Sequence, residues 1–313
     1  MKSKVLVKTQ DNEEEKRKKQ PHILVGIGEI LWDILPQGPR LGGAPANFAY
    51  YTQALGERGI IVSKVGRDSE GEKILAKMRF HGLESKYIAI DDKHPTGMVT
   101  VKLDNRGIPQ FEIHEDCAWD YLEITPQLRE LAQQVDAVCY GSLAQRSPAS
   151  RQSIREFIAQ TRSDCLRIFD VNLRAPFYAS EDIDFLLRKS QILKLNEDEL
   201  WILAELFQIE NKQEKLIINF FFATYPIELI VLTRGERGST LYTREKISNS
   251  SAFPVKVKDT VGAGDAFTAA VAVGLLYHKG LDKINETANQ IAAFVCTQPG
   301  AWTPLSDELK YKK

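Results

Sequence analysis

The alternation of short apolar runs with longer amphipathic segments constrains this fold more than any other feature of the sequence. Six apolar runs have the length of buried strands: ILVGIG, GIIVSKVG, AVCYGSL, LRIFDVN, QILKLN and ELIVLT. Between them, SEGEKILAKMRF, SPASRQSIREFIAQ and NEDELWILAELF have the periodicity of helices. This order predicts a three-layer α/β/α fold, in which helices cover both faces of a mostly parallel sheet. Ligands in such folds bind at the carboxyl ends of the strands.

A second, smaller sheet is predicted where this alternation stops. In MVTVKL, DNRGIP and QFEIHE, apolar and polar residues alternate on both sides of a turn, which is typical of a hairpin. The ILWDIL segment can add a further strand. We therefore expect a small β-sheet lid, built from segments near residues 30–40 and 95–118 and inserted into one domain of residues 21–313. The hairpin can cover the strand ends as a lid or form a dimer surface, and the sequence leaves both open.

The composition gives no reason to expect nucleic acid or a membrane as partner. Lys and Arg total 41 against 42 for Asp and Glu, so the net charge of −1 offers no attraction to polyanions. Residues 1–20 form a charged stretch without the apolar segment of a signal peptide, and we expect a disordered tail there. The most apolar stretch, LIINFFFATYPIELIVL, contains polar residues and a proline and predicts a helix followed by a buried strand. Four scattered cysteines without metal-ligand spacing favour a reducing compartment, the cytoplasm: Cys117, Cys139, Cys165 and Cys296.

The stretch DTVGAGDAFTAA combines a glycine-rich turn with the start of an apolar helix. Gly262, Ala263 and Gly264 leave backbone N–H groups unobstructed at a positive helix end, which suits an anion. Asp265 adds a carboxylate at the same place. In phosphoryl transfer this pair makes sense, because the amides hold the transferred group while a weak base accepts the proton of the attacking hydroxyl. A plain glycine turn, with Asp265 stabilising the helix N-terminus, explains the motif equally well at this point.

Two further stretches each allow a ligand-binding and a structural interpretation. In LGGAPANFAYY, Gly42 and Gly43 permit close approach of the backbone, and the Asn47 amide can bind sugar hydroxyls or belong to an ordinary strand-to-helix turn. In LKLNEDELW, Asn196 and Glu199 can support the water shell of Mg²⁺. The same pair has the spacing of a helix capping box, and both roles can coexist.

A candidate nucleotide site follows the last buried strand. In LTRGERGSTLY, Thr233, Arg234 and Gly235 stand where nucleotide phosphates can reach a strand end, although a simple hairpin turn also fits. Other nucleotide and hydrolase motifs are missing from the sequence. There is no GxxxxGK[ST] loop and no GxSxG elbow, and GIGEI lacks the third glycine of a dinucleotide fingerprint.

Taken in order, GEILWD, GGAPAN, DVNLR, LNEDE, TRGERG and DTVGAGDAF resemble the ribokinase-like (PfkB) carbohydrate kinases over residues 22–305. The resemblance implies an ATP-dependent sugar kinase that uses Mg²⁺, with Asp265 as catalytic base and the amides of residues 262–264 as anion hole. It assigns sugar binding to Asp33, Gly43 and Asn47, magnesium support to Asn196 and Glu199, and nucleotide binding to residues 233–238, which include Gly238, and to Asn289. Potassium beside the anion hole is a further expectation, at Asp259, Val261, Val295 and Gly300.

The sugar is less constrained than the reaction. DVNLRAPFY resembles the corresponding segment of fructokinases and ketodeoxygluconate kinases, and Arg174 can shape the substrate pocket. Fructose is the expected substrate; a sugar acid, or a catalytically idle sugar-binding protein on the same fold, is the alternative. The lid offers further candidate sugar contacts, namely Glu112, His114, Glu115 and Trp119, and its sheet is a candidate homodimer surface.

Overall fold

The structure of the chain is a computed structural model that describes residues 20–35, 38–103, 109–210 and 213–311, with the backbone alone at 101–103 and 109–111. The tail expected at residues 1–20 thus lies outside the described residues except for its last one. The helices of the described chain are α1 (Ala44–Ala54), α2 (Ser69–Phe80), α3 (Pro126–Ala132), α4 (Pro148–Gln160), α5 (Ser180–Arg188), α6 (Glu197–Leu206), α7 (Glu214–Thr224), α8 (Ala263–Leu276) and α9 (Leu281–Cys296).

A nine-stranded sheet forms the centre of the described chain, in the order β13-β12-β11-β10-β9-β8-β1-β4-β5. Its strands are β1 (Ile23–Ile27), β4 (Arg58–Gly66), β5 (Ile88–Asp91), β8 (Ala137–Tyr140), β9 (Leu166–Asp170), β10 (Ile192–Asn196), β11 (Leu229–Thr233), β12 (Ser239–Tyr242) and β13 (Ile247–Ser250). Seven strands of this sheet are parallel to one another, namely β11, β10, β9, β8, β1, β4 and β5, while β12 and β13 are antiparallel additions at one edge. The mostly parallel sheet predicted from the sequence is confirmed.

Helices cover both faces of this sheet because its strands are apolar on both sides. Two consecutive residues of β1, Leu24 and Val25, belong to two different hydrophobic cores. One core packs the sheet against α3 to α7, and the other packs it against α1, α2, α8 and α9. Helix α8 is buried from Ala266 to Gly274, as its nearly uniform apolar sequence requires. The three-layer α/β/α prediction is therefore confirmed.

The small second sheet is also present. It has the order β3-β2-β6-β7, with β2 (Leu31–Leu35), β3 (Gly38–Gly42), β6 (Gly97–Leu103) and β7 (Pro109–Ile113). The predicted hairpin is the antiparallel pair β6–β7, and the ILWDIL segment joins it through parallel pairing of β2 with β6. The glycine- and proline-containing strand β3, which local propensity does not indicate, completes the sheet by pairing with β2.

The topology brings separate parts of the sequence to one edge of the main sheet. Asp170, Asn196 and Thr233 are the last residues of three adjacent parallel strands, and Glu29 follows β1 at the same edge. This is the edge at which an α/β sheet binds ligands. Among the described residues, no helix has both the length and the apolar character that a membrane crossing requires.

Candidate active site

The GAGD turn starts helix α8 at this edge of the sheet. Gly262 has a left-handed backbone with φ of 80°, and a Cβ there would lie 2.9 Å from the Ala301 carbonyl oxygen. Glycine is therefore needed both for the turn and for the contact with the C-terminal segment. No side chain caps the helix, and Asp265 lies in its first turn. Of the three predicted anion-hole residues, Ala263 donates its N–H to the Thr260 carbonyl at 3.2 Å.

Asp265 is held by a residue from the other end of the chain. The Asn47 amide nitrogen donates to Asp265 Oδ2 at 2.7 Å, and Asn47 Oδ1 accepts from the Trp302 indole at 2.9 Å. Burial, with the nearby Asp170 carboxylate, raises the pKa of Asp265 to about 6, while Lys194 and the Asn47 hydrogen bond oppose that rise. Such a carboxylate is ionised at neutral pH and is a stronger base than an ordinary aspartate.

A buried ion pair lies directly beneath the GAGD turn. Lys194 Nζ and Asp170 Oδ1 are 2.9 Å apart, and the Thr268 hydroxyl donates to Asp170 Oδ2 at 3.2 Å. A Cβ at Gly264 would be 3.3 Å from Lys194 Nζ, so the ammonium lies against the turn that was predicted to bind phosphate. Burial alone would lower the pKa of Lys194, but Asp170 and further carboxyl groups raise it, so the side chain stays charged.

Both members of this pair were missed by the sequence reasoning. The available signal was an acidic residue within one predicted buried strand, LRIFDVN, and a basic residue within the next, QILKLN. In the structure Asp170 and Lys194 are direct partners in the register of β9 and β10. A charge in a buried strand requires a partner of opposite sign, and the neighbouring strand supplies it.

On the side of α1, two further carboxyl groups face the same space. Burial raises the pKa of Asp33, in the lid strand β2, to about 6, and the Asp33 carboxylate lies so close to Gly42 that a Cβ there would be 2.3 Å from Oδ2. Gly43 has φ of 103°, and its own Cβ would clash with the Glu29 carbonyl at 2.4 Å. Close approach of the backbone, predicted for Gly42 and Gly43, is what the structure shows.

Glu29 is a second functional candidate that the sequence reasoning did not single out. Its side chain is 2% exposed, Oε1 accepts the Ala44 N–H at 3.3 Å, and Oε2 has no partner among the described residues. Burial raises the pKa of Glu29 to about 7, with Asp265 adding to the rise. Its place in the motif GEILWD, two residues after the end of β1, was the available signal.

Arg174 faces these carboxyl groups from the loop after β9. Its charge lowers the pKa of Glu29, Asp33 and Asp265 against the stronger effect of burial, so one guanidinium acts electrostatically on all three. Arg174 itself is exposed, and its Nη1 donates to the Leu173 carbonyl at 2.9 Å. An exposed arginine above buried carboxyl groups is placed to meet an incoming ligand.

The lid candidates lie in different surroundings. Trp119 is fully buried, with the Arg146 guanidinium 4.1 Å above its ring, and therefore belongs to the packing beneath the lid. The His114 ring nitrogen is 2.8 Å from the Thr100 hydroxyl within the β6–β7 hairpin. Glu115 lines a separate cleft together with Arg146. Sugar contacts by Glu112, His114, Glu115 and Trp119 remain a prediction.

Asn196 and Glu199 form the capping box that the sequence allowed. Asn196 Oδ1 accepts the Glu199 N–H at 2.9 Å, and Glu199 Oε2 accepts the Asn196 N–H at 2.8 Å. Glu199 Oε1 accepts a further N–H from Leu173 at 3.0 Å. Burial of Glu199 raises its pKa. The structural interpretation is thus realised, and the magnesium role remains a prediction.

All of the predicted nucleotide residues except Arg234 line one large cleft that reaches the GAGD turn. The cleft has a volume of about 830 Å³. Asn289 is buried at its side, where its amide donates to Ser239 Oγ at 2.7 Å. The cleft joins the two predicted halves of the site, because its lining includes residues from the TRGERG turn, the GAGD turn and helix α9: Thr233, Gly235, Gly238, Thr260, Ala263, Gly264, Phe267, Asn289 and Cys296. This volume suits a nucleotide-sized ligand.

Arg234 does not line this cleft. Its guanidinium is paired with Glu197 and Glu214, at 2.7 Å in both cases. Glu197 also pairs with Arg237. These ion pairs join the TRGERG turn to helices α6 and α7, so the visible role of Arg234 is to hold the turn in place.

The predicted potassium residues lie together behind the GAGD turn. Asp259 accepts the N–H of Val261 at 3.0 Å and that of Gly300 at 2.9 Å. The Val295 carbonyl accepts the N–H of Gln298 at 2.9 Å, and Asp259 donates its own N–H to the neighbouring Cys296 carbonyl at 3.3 Å. Carbonyl oxygens and one carboxylate are ligands that fit an alkali cation. In the described part of the chain, no group of three His, Cys, Asp or Glu side chains is arranged to hold a metal ion.

Comparison with known proteins gives a consistent family assignment. A sequence model described as pfkB family carbohydrate kinase matches residues 38–308. A sugar kinase of Pyrococcus horikoshii is 30% identical over 306 residues, covering 93% of this chain and 96% of that protein. Its crystal structure in complex with ATP has a TM-score of 0.78 to this chain at 29% identity, covering 93% of this chain and 98% of that one.

Two more distant relatives carry names that specify a substrate. Fructokinase-2 of Oryza sativa subsp. japonica is 26% identical over 309 residues, which cover 90% of each chain. An ATP-dependent 6-phosphofructokinase of Thermoanaerobacterium thermosaccharolyticum is 28% identical over 298 residues, again covering 90% of each chain.

Proposed function

This chain belongs to the pfkB family of carbohydrate kinases, and we propose that it transfers the γ-phosphate of ATP to a hydroxyl of D-fructose. One observation carries the proposal. Asp265 accepts a hydrogen bond from Asn47, a proposed sugar-binding residue, and directly follows Gly264, which lines the nucleotide-sized cleft. A base in this position can accept a proton from an alcohol on one side while a phosphoryl group arrives from the other.

The chemical step follows from this arrangement. The sugar hydroxyl oxygen forms a bond to the γ-phosphorus as the bond from that phosphorus to the bridging oxygen of ADP breaks, and the hydroxyl proton passes to the Asp265 carboxylate. Lys194 Nζ, beside Gly264, and the first-turn N–H groups of α8 stabilise the negative charge on the transferred group. The products are the sugar phosphate and ADP.

Mg²⁺ is the cofactor that we propose, held chiefly by nucleotide phosphates and water. Glu199 and Asn196 fit a supporting role only, because their mutual cap uses Glu199 Oε2 and Asn196 Oδ1, and the Leu173 N–H occupies Glu199 Oε1. When bound, Mg²⁺ neutralises phosphate charge. Potassium is proposed at the carbonyl and carboxylate oxygens around Asp259, where it would fix the turn that precedes Gly262.

The charge of the pocket supports a neutral sugar. The Arg174 charge acts on Glu29, Asp33 and Asp265, and burial, which raises the pKa of each, disfavours negative charge around them. An anionic substrate would add a further negative charge. A fructokinase among the relatives agrees with this argument.

Arg174 carries the alternative, since a single exposed guanidinium can bind a carboxylate or phosphate. A 2-keto-3-deoxygluconate kinase would use it for the substrate carboxylate. The relationship to a 6-phosphofructokinase adds fructose 6-phosphate to the compounds that need testing.

A sugar panel tests the function. ADP formation is measured with Mg·ATP and potassium for fructose, ribose, 2-keto-3-deoxygluconate, glucose and fructose 6-phosphate, with Asp265→Asn as control. We expect the largest kcat/KM with fructose and loss of turnover in the variant. Turnover on another compound only would replace the substrate, and binding of sugar without ADP formation under any cation condition would favour an idle binding protein.

Two further proposals concern the surroundings of the enzyme. All four cysteines are free thiols, which supports a cytoplasmic location. The lid sheet has edge strands β3 and β7, and pairing or packing of these edges between two copies would give a homodimer. Light scattering of the enzyme at several concentrations measures the mass and tests the dimer.

A further inference from the structure

Asp265 is the last acceptor in a hydrogen-bond chain that begins at Trp302. The indole N–H of Trp302 donates to Asn47 Oδ1 at 2.9 Å, and Asn47 Nδ2 donates to Asp265 Oδ2 at 2.7 Å. The three residues come from the segment after α9, from α1 and from the first turn of α8. Both side-chain atoms of Asn47 that can form hydrogen bonds are therefore used within the protein.

The indole decides which way the Asn47 amide points. An asparagine amide has an acceptor on one side and a donor on the other, whereas an indole can only donate. With the amide reversed, two donors would meet at Trp302 and two acceptors at Asp265. The presence of Trp302 thus leaves one orientation, in which an N–H faces the carboxylate.

Trp302 is well placed to impose this orientation because it is itself fixed. Its ring stacks on Tyr50 at 4.8 Å with an interplanar angle of 7°. The residue before it is anchored too, since the fully buried Tyr51 donates its hydroxyl hydrogen to the Ala301 carbonyl at 2.5 Å. Helix α1, which carries Asn47, therefore also holds the segment that carries Trp302.

We propose that Trp302 is a positioning residue for Asp265, which acts by fixing the Asn47 amide so that the carboxylate keeps its N–H donor and its aim at the substrate hydroxyl. The inference rests on the proposed role of Asp265 as base. It extends that role to a residue 37 positions further along the chain that the cleft does not include.

Loss of the Asn47 N–H donor should change the pKa of Asp265 in one direction only. A hydrogen bond to the ionised carboxylate favours that form, so its removal raises the pKa of Asp265 further. The other groups that face Asp265 stay in place, and their effects are common to all variants: Asp170 from β9, Lys194 from β10, Arg174 from the following loop, Glu29 after β1, and the neutral Tyr51 and Cys139 from α1 and β8.

The test compares two changes that act on the segment of residues 301–302, one in that segment and one in helix α1. Trp302→Phe keeps a ring to stack on Tyr50 and removes the indole N–H. Tyr51→Phe, the matched control, removes the anchor of the neighbouring Ala301 without touching the chain to Asp265. The pKa of Asp265 is measured by carboxyl ¹³C NMR in the ligand-free enzyme, with Asp265→Asn assigning the signal, and the acid limb of kcat/KM is measured for the preferred sugar.

In W302F we expect the pKa of Asp265 and the acid limb to rise by about 0.5 unit or more, with activity recovering toward wild type at alkaline pH. In Y51F, which loosens Ala301 but keeps the indole N–H, any rise should be clearly smaller. An unchanged pKa in W302F, or an equal rise in Y51F, would overturn the proposal. If W302F fails to fold, benzothienylalanine at position 302 replaces the N–H by sulfur in a ring of the same shape.

A double variant tests whether the effect passes through Asn47. In the Asn47→Ala background, W302F should cause no further rise in the pKa, whereas an equal further rise would contradict the route through the amide. The NMR measurement does not need turnover. A pKa that responds as expected in an enzyme that phosphorylates no sugar would therefore retain the inference about positioning and reject the proposed function.

Discussion

Two helices begin with an acidic first turn at the same edge of the sheet, and their carboxylates are held in opposite ways. In α6, Glu199 accepts hydrogen bonds from the backbone N–H groups of Asn196 and Leu173, and Glu197 pairs with two arginines. In α8, Gly262 caps without a side chain, and Asp265 is bound by Asn47, 218 residues away.

We infer from this difference that Asp265 is the carboxylate available for chemistry. Glu199 is satisfied by backbone N–H groups and Glu197 by arginines, so these two carboxylates stabilise the protein. The Asp265 carboxylate of α8 is bound by the side chain of Asn47. Burial raises its pKa, and no cation among the described residues forms an ion pair with it. Displaced ionisation beside a cleft is typical of a catalytic group.

The strongest test of this comparison exchanges each carboxylate for its amide. Asp265→Asn should lower kcat by about 10²- to 10⁴-fold, because the proton acceptor is lost while the shape is kept. Glu199→Gln should lower kcat far less but reduce the free energy of unfolding by about 1–2 kcal/mol, because an amide can accept at only one of the two backbone N–H groups. Steady-state kinetics and urea unfolding measure both quantities.

Stability against pH provides the control for these two variants. The pKa of Asp265 is higher in the folded protein than in the unfolded chain. Ionised Asp265 therefore lowers the free energy of unfolding, an effect that is absent below the unfolded value of 3.8 and complete above about 6. Asp265→Asn should therefore be more stable than wild type at pH 7, by as much as about 3 kcal/mol, and no more stable at pH 3.5. A variant less stable at every pH would show that Asp265 is a structural carboxylate like Glu199.

The next largest effect concerns the ion pair beneath the α8 turn. Lys194→Met should lower kcat by about 10²-fold, because Lys194 Nζ lies against Gly264, and should destabilise the protein by about 3–5 kcal/mol by leaving the Asp170 charge unpaired.

Combining Lys194→Met with Asp170→Asn separates the two roles. The double variant should recover most of the lost stability, since neither charge of the pair remains, and recover none of the lost kcat. If kcat returned together with stability, Lys194 would serve the fold alone, and the contrast between the α6 and α8 turns would not extend to it.

Local patterns in the sequence were enough to predict the layers and both turns. The strand runs, the β6–β7 hairpin and the capping box of Asn196 and Glu199 depend on neighbouring residues, whose periodicity and spacing are visible. The GAGD turn was also recognisable, because its glycines and its apolar helix are contiguous.

Contacts across the sequence explain what was not predicted. The partnership of Lys194 with Asp170 depends on the register between two strands, and that of Asn47 with Trp302 joins residues 255 positions apart. The structural duty of Arg234 likewise arises from glutamates on two other elements. Each residue type was visible, but its partner was not, because no local spacing encodes a contact between distant segments.

The smallest expected effect is that of changing Glu29, a buried carboxyl group that belongs to neither the α6 turn nor the α8 turn. Its pKa of about 7 is raised chiefly by burial and also by the Asp265 charge, so Glu29 is mostly neutral where Asp265 titrates and can act only weakly on the pKa of Asp265. Glu29→Gln keeps an acceptor for the Ala44 N–H and abolishes the charge. The acid limb of kcat/KM should therefore move to lower pH, by less than about 0.5 unit.

A matched control for Glu29 lies at the opposite end of the sheet. Glu57 is also buried, at 4% exposure, and accepts the His22 N–H at 2.5 Å. Glu57→Gln should leave the acid limb where it is in the wild type. If the acid limb of kcat/KM stayed at the wild-type pH in Glu29→Gln, the Glu29 charge would have no effect on the pKa of Asp265. A collapse of kcat at every pH, as in Asp265→Asn, would instead mean that Glu29 contacts the reacting atoms, and the distinction between α6 and α8 would then have to include a second reactive carboxyl group after β1.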